Sequence, residues 1–512
     1  YFKELKMAQD FDKPFADTGD RQDIPADAQS DNTLSWDKGF TLKYSIIPQQ
    51  EGGEFIPRKS FNQIIYMISS KILGLLQDFK GTKISFATAE ALESIKIGTN
   101  PKTPNITLNA TGDSTITTPD VEAEGKQIVN AEWVRNYADK VDLKVGAGYK
   151  KYTAIINLTN SETPNNCISL ADDAKGKTLD ELKAFLGHYA CLFITGEENR
   201  KLNPDNYAKY ADDNTDADIT TLGNDVMVKF PRRGLSIRTI GSEIYITFTD
   251  DPNAKDFNYY AFQKGLLDKE AFFYGAYKGY VSGSKLYSSS GKTPTVNTTI
   301  GAFRNYAQAR GSGYEQVGFY QRQYLIACYI LLHQSLNSAE KIGRGKDSGK
   351  AVIATGGSNT WGMDSELAKA QYPTYLTDGA HNVKCLGIED LWGNCWEWLD
   401  GVVTQNYNVA TATSGFNDTG KGYVSRGIAS YSAWDGTYIS AIAGNNELGF
   451  YPTSAIGSDS TYFCDGHWQG ANCVAKAGGS WNDGAKCGVF ALAVIHAPSH
   501  TGSSFGARLM FL

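Results

Sequence analysis

The chain has 512 residues, of which 41% are hydrophobic and 12% aromatic, and its formal net charge at pH 7 is -7. This length and apolar content are enough for several buried cores, in about two to four domains. No concentrated basic face is evident, so nucleic acid is not expected as a partner. The longest apolar stretch, at 324–332, is too short to cross a bilayer, so no membrane insertion is expected.

The amino-terminal part begins polar, and residues 1–20 contain no export signal. At 61–76 apolar residues recur at helical spacing, which predicts an amphipathic helix. The letters KPFADTGDRQDIP at 13–25, SWDKGF at 35–40, GG at 52–53 and PRKSFN at 57–62 resemble the amino-terminal segment of phage tail fibres. The resemblance implies that residues 1–80 attach the chain to the virion through phage tail proteins.

Residues 81–140 are interpreted as a linker or shaft, because Thr, Asn, Pro, Gly and Asp dominate from 99 to 125. The segment 126–136 resembles the short helix that ends repeat units in many tail fibres, and an ordinary surface helix is the alternative. Residues 141–222 alternate short apolar runs with polar turns, which predicts a small β-rich domain.

A larger domain is expected from 223 to 512, with strands at 225–231 and 243–249. The 52 glycines and 29 tyrosines favour a turn-rich β or α+β architecture with few long helices, and we predict the α+β class. One helix is predicted at about 315–340, because six apolar residues there share a face. They are Tyr320, Tyr324, Ala327, Cys328, Leu331 and Leu332.

Three ordered motifs mark this domain: GIEDLWGNCWEW at 387–398, GGSW at 478–481 and GARLMFL at 506–512. The first groups three tryptophans around a Gly-Asn turn, which indicates a structural corner. Together the motifs resemble the formylglycine-generating-enzyme type of C-type lectin fold. The resemblance implies a carboxy-terminal C-type-lectin-like domain preceded by small β-rich tail-fibre domains.

The sequence suggests two enzymatic interpretations. The enzymatic members of that fold bind copper through a pair of cysteines, but here Asn482 or Asp483 stands at the near position and only Cys487 is close. Oxidase activity and a cofactor are therefore not expected. Glu389, Asp390 and Glu397 could form the carboxylate pair of a glycan-cleaving enzyme. Beside three tryptophans, they are expected instead to accept hydrogen bonds from indole and backbone groups.

Residues 479–508 resemble the variable segment of proteins diversified by retroelements, a family that includes phage major tropism determinants. In that family adenine-directed mutagenesis rewrites asparagine codons. An altered AAC codon can encode ten residues of the segment, and Lys486 would need another template codon. The ten candidate variable positions are Asn482, Asp483, Ala491, Ala493, Ile495, His496, His500, Gly502, Ser503 and Ser504. The predicted ligand-binding set adds Lys486 and two aromatic anchors, Trp481 and Phe505.

Alternation along this segment predicts a strand with one variable face. Phe490, Leu492 and Val494 should be buried, and the intervening Ala491, Ala493 and Ile495 should be exposed. Surface substitutions usually change stability by no more than about 0.5 kcal/mol, so an exposed face can vary at little cost.

Metal binding is not predicted. The tripeptide at 481–483 supplies calcium ligands in carbohydrate-binding lectins, but no partner loop accompanies it here. His496 and His500 are four positions apart, but Pro498 prevents a regular helix from presenting both to one ion. They are interpreted as contact residues or solvated side chains.

The eight cysteines form no CxxC pair and no zinc-like spacing with the six histidines, which indicates reduced structural thiols. Cys464 and Cys473, on either side of a glycine-containing loop, are the one pair that could form a disulfide.

The preferred functional hypothesis is a virion adhesin at a phage tail tip or fibre, which binds a bacterial surface receptor, protein or glycan. A homotrimer is expected by analogy with tail fibres. The alternatives are an enzyme, either a formylglycine-type oxidase or a glycan-cleaving enzyme, and a diversified bacterial surface or pilus adhesin.

Overall fold

The computed structural model describes residues 143 and 145–512, except 266, 366–370, 372 and 429–433, together with two strands nearer the amino terminus. These strands, Ser94–Ile97 and Ile106–Asn109, pair antiparallel within the segment expected to be a linker. The chain divides into two compact units, Tyr1–Asp142 and Leu143–Leu512. The tail-fibre-like motifs and the helices predicted at 61–76 and 126–136 lie outside the described residues.

Few helices are present in the described residues, as the composition predicted. The α-helices are Leu179–Leu186, Ile300–Gln308, Phe319–His333, Ser338–Lys341 and Pro373–Thr377. Short 3-10 helices are Leu158–Asn160, Tyr260–Phe262 and Gly484–Lys486. None of the helices within this described part is long and apolar enough to cross a membrane.

The helix Phe319–His333 confirms the prediction of a helix near 315–340, but all of its residues are buried rather than one face. Its polar side chains are accommodated because they bind backbone carbonyls of surrounding segments. Gln321 Nε2 donates to the carbonyl of Ala261 at 2.6 Å. Arg322 donates to the carbonyls of Leu391 and Val489 at 2.8 and 2.9 Å. The helix is therefore the centre of the unit, and not an amphipathic surface helix.

Two antiparallel sheets form the first part of this unit. The four-stranded sheet has the order Ile168–Asp172, Lys151–Asn157, Glu243–Thr249, Gly234–Ile240. The seven-stranded sheet has the order Tyr314–Gln316, Leu509–Phe511, Ala271–Gly275, Asn224–Pro231, Tyr189–Ile194, Glu197–Asn203, Asn206–Tyr210. The carboxy-terminal strand thus lies inside a sheet, two places from a strand that begins at Asn224.

These sheets correct the domain boundary predicted between 222 and 223. Lys151–Asn157 pairs with Glu243–Thr249, and Tyr189–Ile194 pairs with Asn224–Pro231. Both pairings cross the predicted boundary, so residues 143–512 form one compact unit. The sequence did not reveal this because backbone pairing between distant strands leaves no local signal.

The eight-stranded sheet carries the candidate site. Seven strands lie in the order Val424–Ile428, Asn408–Thr411, Trp396–Gln405, Val474–Ala477, Leu492–His496, Gly466–Gln469, Trp434–Tyr438. The eighth strand, Phe505–Gly506, pairs parallel with Trp396–Gln405. Four small two-stranded pairs complete the described strands: Gln263–Lys264 with Leu267–Asp268, Tyr280–Ser282 with Lys285–Tyr287, Lys384–Cys385 with Ile388–Glu389, and Ala441–Ile442 with Pro452–Ser454.

Candidate functional site

The first and the last of the three sequence motifs meet in one buried ion cluster. Arg508, from the last motif, lies 2.6 Å from Glu397 of the tryptophan motif, and Lys278 lies 2.9 Å from the same carboxylate. All three side chains are fully buried. Burial alone would raise the pKa of Glu397, but the charges of Arg508 and Lys278 lower it to about 2. The carboxylate is therefore ionised, and its role is to join the motifs.

The Gly-Asn turn links the first motif to the second. Gly393 has a φ of 78°, and a Cβ there would lie 2.9 Å from the carbonyl oxygen of Lys346, so no other residue fits. The next residue, Asn394, accepts a hydrogen bond from the backbone N–H of Trp481 at 3.1 Å. Asn394 Nδ2 also donates to Asp390 Oδ2 at 2.9 Å. The predicted structural corner thus fixes the point at which the GGSW segment enters the site.

The carboxylates of the tryptophan motif are structural, although their partners differ in part from the prediction. Glu389 and Asp390 accept hydrogen bonds from backbone N–H groups and polar side chains. The indoles donate elsewhere: Trp392 to the carbonyl of Gly343 at 3.0 Å and Trp398 to that of Thr298 at 3.1 Å. The indole N–H groups thus donate to peptide carbonyls, and the carboxylates accept from backbone N–H groups and polar side chains instead. Because Glu389, Asp390 and Glu397 are at most 1% exposed, they do not form an accessible carboxylate pair.

The predicted strand is present as Leu492–His496, but its two faces are both covered. Leu492 and Val494 pack in the main core with Phe490, as predicted. Ala491 and Ala493 are only 1% exposed, which corrects the expectation that they lie on the surface. They pack in a second hydrophobic cluster, whose members include Trp396, Trp398, Val474 and Phe505. Aromatic residues distant in sequence cover the strand face that bears Ala491 and Ala493, because the small alanine side chains leave room for their rings.

The exposed part of the segment therefore begins where the strand ends. Ile495 and His496 are half-buried, and His500 and Ser503 are exposed. Ser504 and Phe505 are 8% and 7% exposed, so they lie in the interior and not on the exposed part of the loop. The other predicted positions with access to solvent are Trp481, Asn482, Asp483, Lys486 and Gly502. The indole Nε1 of Trp481 lies 3.4 Å from the carbonyl oxygen of Ser503, which brings the 481–486 turn beside the terminal loop.

His496 and His500 form a stacked pair. Their ring centroids are 4.1 Å apart with an interplanar angle of 2°, and they lie 4.9 and 5.3 Å from the ring of Phe505. Pro498 prevents a helix, as the sequence indicated, but the loop still brings the rings together. Burial and the nearby charges of Lys476 and His500 lower the pKa of His496 to about 4. At neutral pH the ring of His496 is therefore an uncharged contact surface.

Lys476 lies beneath this pair and was missed by the sequence argument. Its side chain is 4% exposed, with Nζ 4.0 Å from the ring centroid of Trp396 and 3.9 Å from that of Phe505. Among the described residues, no carboxylate forms an ion pair with this ammonium. Burial lowers the pKa of Lys476 to about 7, and the more distant charge of Asp483 opposes this only in part. A buried cation between aromatic rings is thus left without an acceptor.

Trp468 and Lys486 extend the same surface on its other side. Trp468 meets Trp396 edge to face, with ring centroids 5.4 Å apart. The ammonium of Lys486 lies 5.6 Å from the ring of Trp468. The residues brought together, here called the candidate binding surface, are Trp468, Lys476, Trp481, Lys486, Ile495, His496, His500 and Phe505. The one sequence feature that could have indicated a binding role for Trp468 is that a tryptophan stands in a strand rich in polar residues.

The 481–483 turn is held by its own hydrogen bonds. Ser480 Oγ donates to Asn482 Oδ1 at 2.6 Å, and the backbone N–H of Ser480 donates to Asp483 Oδ2 at 2.9 Å. The oxygens that calcium would use therefore stabilise the turn.

The cysteines are all free thiols in the structure, including Cys464 and Cys473. Cys464 Sγ donates to the carbonyls of Thr461 and Tyr462 at 3.7 Å. Cys487 is 2% exposed, and its Sγ donates to the carbonyl of Ser480 at 3.2 Å. Burial raises the pKa of Cys487 well above its ordinary value, which keeps the thiol protonated. Neither Cys464 nor Cys487 is placed as a reactive thiolate.

Comparison with known proteins gives no matching family model and no matching curated protein. Among solved structures, the chain is similar to proteins of the class that the sequence resemblance named, the variable proteins. The Major Tropism Determinant P3c and M1 variants are 11% and 12% identical, with 85% of this chain and 92% of each of those chains covered and a TM-score of 0.24. Treponema denticola variable protein 1 is 14% identical, with 57% and 97% covered and a TM-score of 0.21. At these TM-scores the likeness carries no argument about the function of this chain.

Proposed function

We propose that the chain is a receptor-binding protein that binds a bacterial surface receptor through the candidate binding surface, on a scaffold of C-type-lectin type. The observation that carries the proposal is the division within the terminal segment. Phe490, Leu492 and Val494 are core residues, and the accessible positions that follow gather next to aromatic rings and a buried cation. Aromatic anchors surrounded by variable small residues are typical of protein recognition surfaces.

The variable set is narrower than the sequence suggested. Ala491 and Ala493 lie in the second hydrophobic cluster, where a larger residue must displace a tryptophan or Phe505. Among the ten candidate variable positions, those that combine access with freedom to change are Ile495, His496, His500, Gly502 and Ser503. Asn482 and Asp483 are accessible, but their side chains hold the 481–483 turn. Diversification is thereby assigned to the loop at the end of the strand.

Attachment of residues 1–80 to a phage tail and assembly of three chains are further parts of the proposal. Both rest on the tail-fibre resemblance of the amino-terminal motifs. Three identical surfaces on one particle would increase a weak single-site affinity through avidity.

The test replaces Ile495, His496 and His500 together with alanine. Fluorescently labelled full-length protein should bind one or more members of a panel of bacterial species, and the triple variant should lose at least about tenfold in apparent affinity. Its melting temperature should remain within about 2 °C of the wild-type value, because the three side chains are at least partly exposed.

A matched control carries Ile456→Ala and His381→Ala, which remove the same two residue types outside the candidate binding surface, at one exposed and one half-buried position. The control should bind cells like the wild type. Retained binding by the triple variant would show that the receptor is contacted elsewhere.

A further inference from the structure

Three metal-binding side chains from separate segments converge in the interior, away from the terminal loops. His333 ends the long helix, Asp364 lies in the loop after the turn at 357–360, and Cys385 ends a short strand. Their ligand atoms all lie within 4.8 Å of one another, and all three residues are buried. Spacing in the sequence gave no sign of this group, because the segments are joined only by folding.

We propose that His333, Asp364 and Cys385 bind a Zn²⁺ ion. Imidazole nitrogen, carboxylate oxygen and thiolate sulfur are the three donor types that zinc accepts in proteins. His333 Nε2 and Asp364 Oδ1 are 3.3 Å apart. With metal–ligand bonds of about 2.0–2.2 Å, nitrogen and oxygen donors of a tetrahedral zinc ion lie about 3.4 Å apart. The spacing of the two atoms therefore matches that of ligands sharing one ion.

The surroundings of Asp364 are those of a metal-bound carboxylate. Oδ1 accepts the backbone N–H of Leu386 at 2.8 Å, and Lys183 Nζ lies 2.9 Å from Oδ2. These contacts orient the carboxylate with Oδ1 toward His333 and keep Oδ2 paired, as outer partners of a metal ligand do. The ammonium of Lys183 opposes a cation nearby, and the two negative charges of the carboxylate and the bound thiolate outweigh it.

His188 is a second observation that points to an ion. The residue is half-buried, but both ring nitrogens are buried and neither has a hydrogen-bond partner. It is close enough to Asp364 and His333 for their charges to act on its pKa. A buried imidazole without partners is costly. Three ligands leave one position of a tetrahedral ion open, and His188 is the candidate for it.

Binding follows a simple balance of charge and protons. The Cys385 thiol loses its proton to solvent as the Zn–S bond forms, the carboxylate binds in its ionised form, and the imidazole of His333 binds through Nε2 as the neutral tautomer that carries its proton on Nδ1. The bound ion would tie the end of the helix Phe319–His333 to the strand Lys384–Cys385. Its effect is on the stability of the scaffold, so it is independent of the receptor proposal.

The test uses the full chain, stripped with a chelator and then given Co²⁺ alone. About one cobalt ion per chain should be retained, with a near-ultraviolet thiolate-to-cobalt charge-transfer band and the strong visible absorption of a tetrahedral ion. Zn²⁺ should displace the cobalt and raise the melting temperature of the stripped protein. A wild-type protein with no charge-transfer band would overturn the proposal.

The matched pair of variants is Cys385→Ser and Cys167→Ser. Both replace a buried free thiol, but only the first removes a proposed ligand. Cys385→Ser should lose the charge-transfer band and the zinc-dependent rise in melting temperature, and Cys167→Ser should keep both. A Cys385→Ser protein that gives the wild-type spectrum would also overturn the assignment, and the wild-type spectrum decides the matter if this variant does not fold.

Discussion

Two buried cationic sites in the same unit differ in whether a carboxylate pairs with the charge. Around Glu397, the charges of Lys278 and Arg508 are paired with a carboxylate at 2.9 and 2.6 Å. Lys476 is almost as deeply buried, but its ammonium faces two aromatic rings and has no carboxylate partner among the described residues. The comparison distinguishes a cluster whose charges are paired from a cation that lies beside aromatic rings without a counter-charge among the described residues.

The largest expected effect comes from breaking the paired cluster. Glu397→Gln leaves Lys278 and Arg508 buried without a counter-charge, which should lower the free energy of unfolding by about 3–5 kcal/mol. Urea denaturation followed by tryptophan fluorescence measures this loss. A change below about 1 kcal/mol would mean that water or a rearranged side chain replaces the carboxylate, and the cluster would lose its structural role.

An intermediate effect on stability is expected from placing a larger side chain on the strand face that bears Ala491 and Ala493. Ala493→Leu inserts a larger side chain into the cluster of Trp396, Trp398 and Phe505, and should cost about 1–3 kcal/mol. His500→Ala, in the exposed loop, should change the free energy of unfolding by no more than about 0.5 kcal/mol. Thermal unfolding of the two variants compares them directly. Equal stability would restore the original prediction of an exposed, freely variable strand face.

A small effect on stability is expected at Lys476. Lys476→Met removes a desolvated charge along with its contacts to the aromatic rings, so the free energy of unfolding should change by less than about 1 kcal/mol at pH 7. Chemical denaturation at neutral pH tests this value. A loss as large as that of Glu397→Gln would make Lys476 part of the scaffold.

The free energy of unfolding of the Lys476→Met variant should also depend on pH differently from that of the wild type. The pKa of Lys476 is lowered from 10.5 to about 7 in the fold, so between these values the unfolded chain binds more protons than the folded chain. Its contribution to stability therefore rises with pH across this window and is lost as the pH falls through it. Denaturation from pH 7 to 10 should show that the difference in stability, wild type minus Lys476→Met, increases with pH. A constant difference would show that the ammonium is well solvated.

The sequence by itself determined local structure and the scaffold motifs. Six β-branched or aromatic residues in a run of seven predicted the strand Glu243–Thr249 with the bounds that the structure has. The long helix and the burial of Phe490, Leu492 and Val494 followed from periodicity in the same way. These features depend on neighbouring residues along one segment, which is the information that a pattern contains.

Only the tertiary structure decided which faces and charges are covered. Ala491 and Ala493 are buried because Trp396 and Phe505 arrive from other strands. Lys476 became part of the candidate site, and His333, Asp364 and Cys385 became neighbours, through the same kind of long-range contact. Strand pairing across 222/223 likewise joined two predicted domains. Each of these outcomes depends on segments far apart in the chain, whose approach is fixed by packing and backbone pairing and not by local pattern.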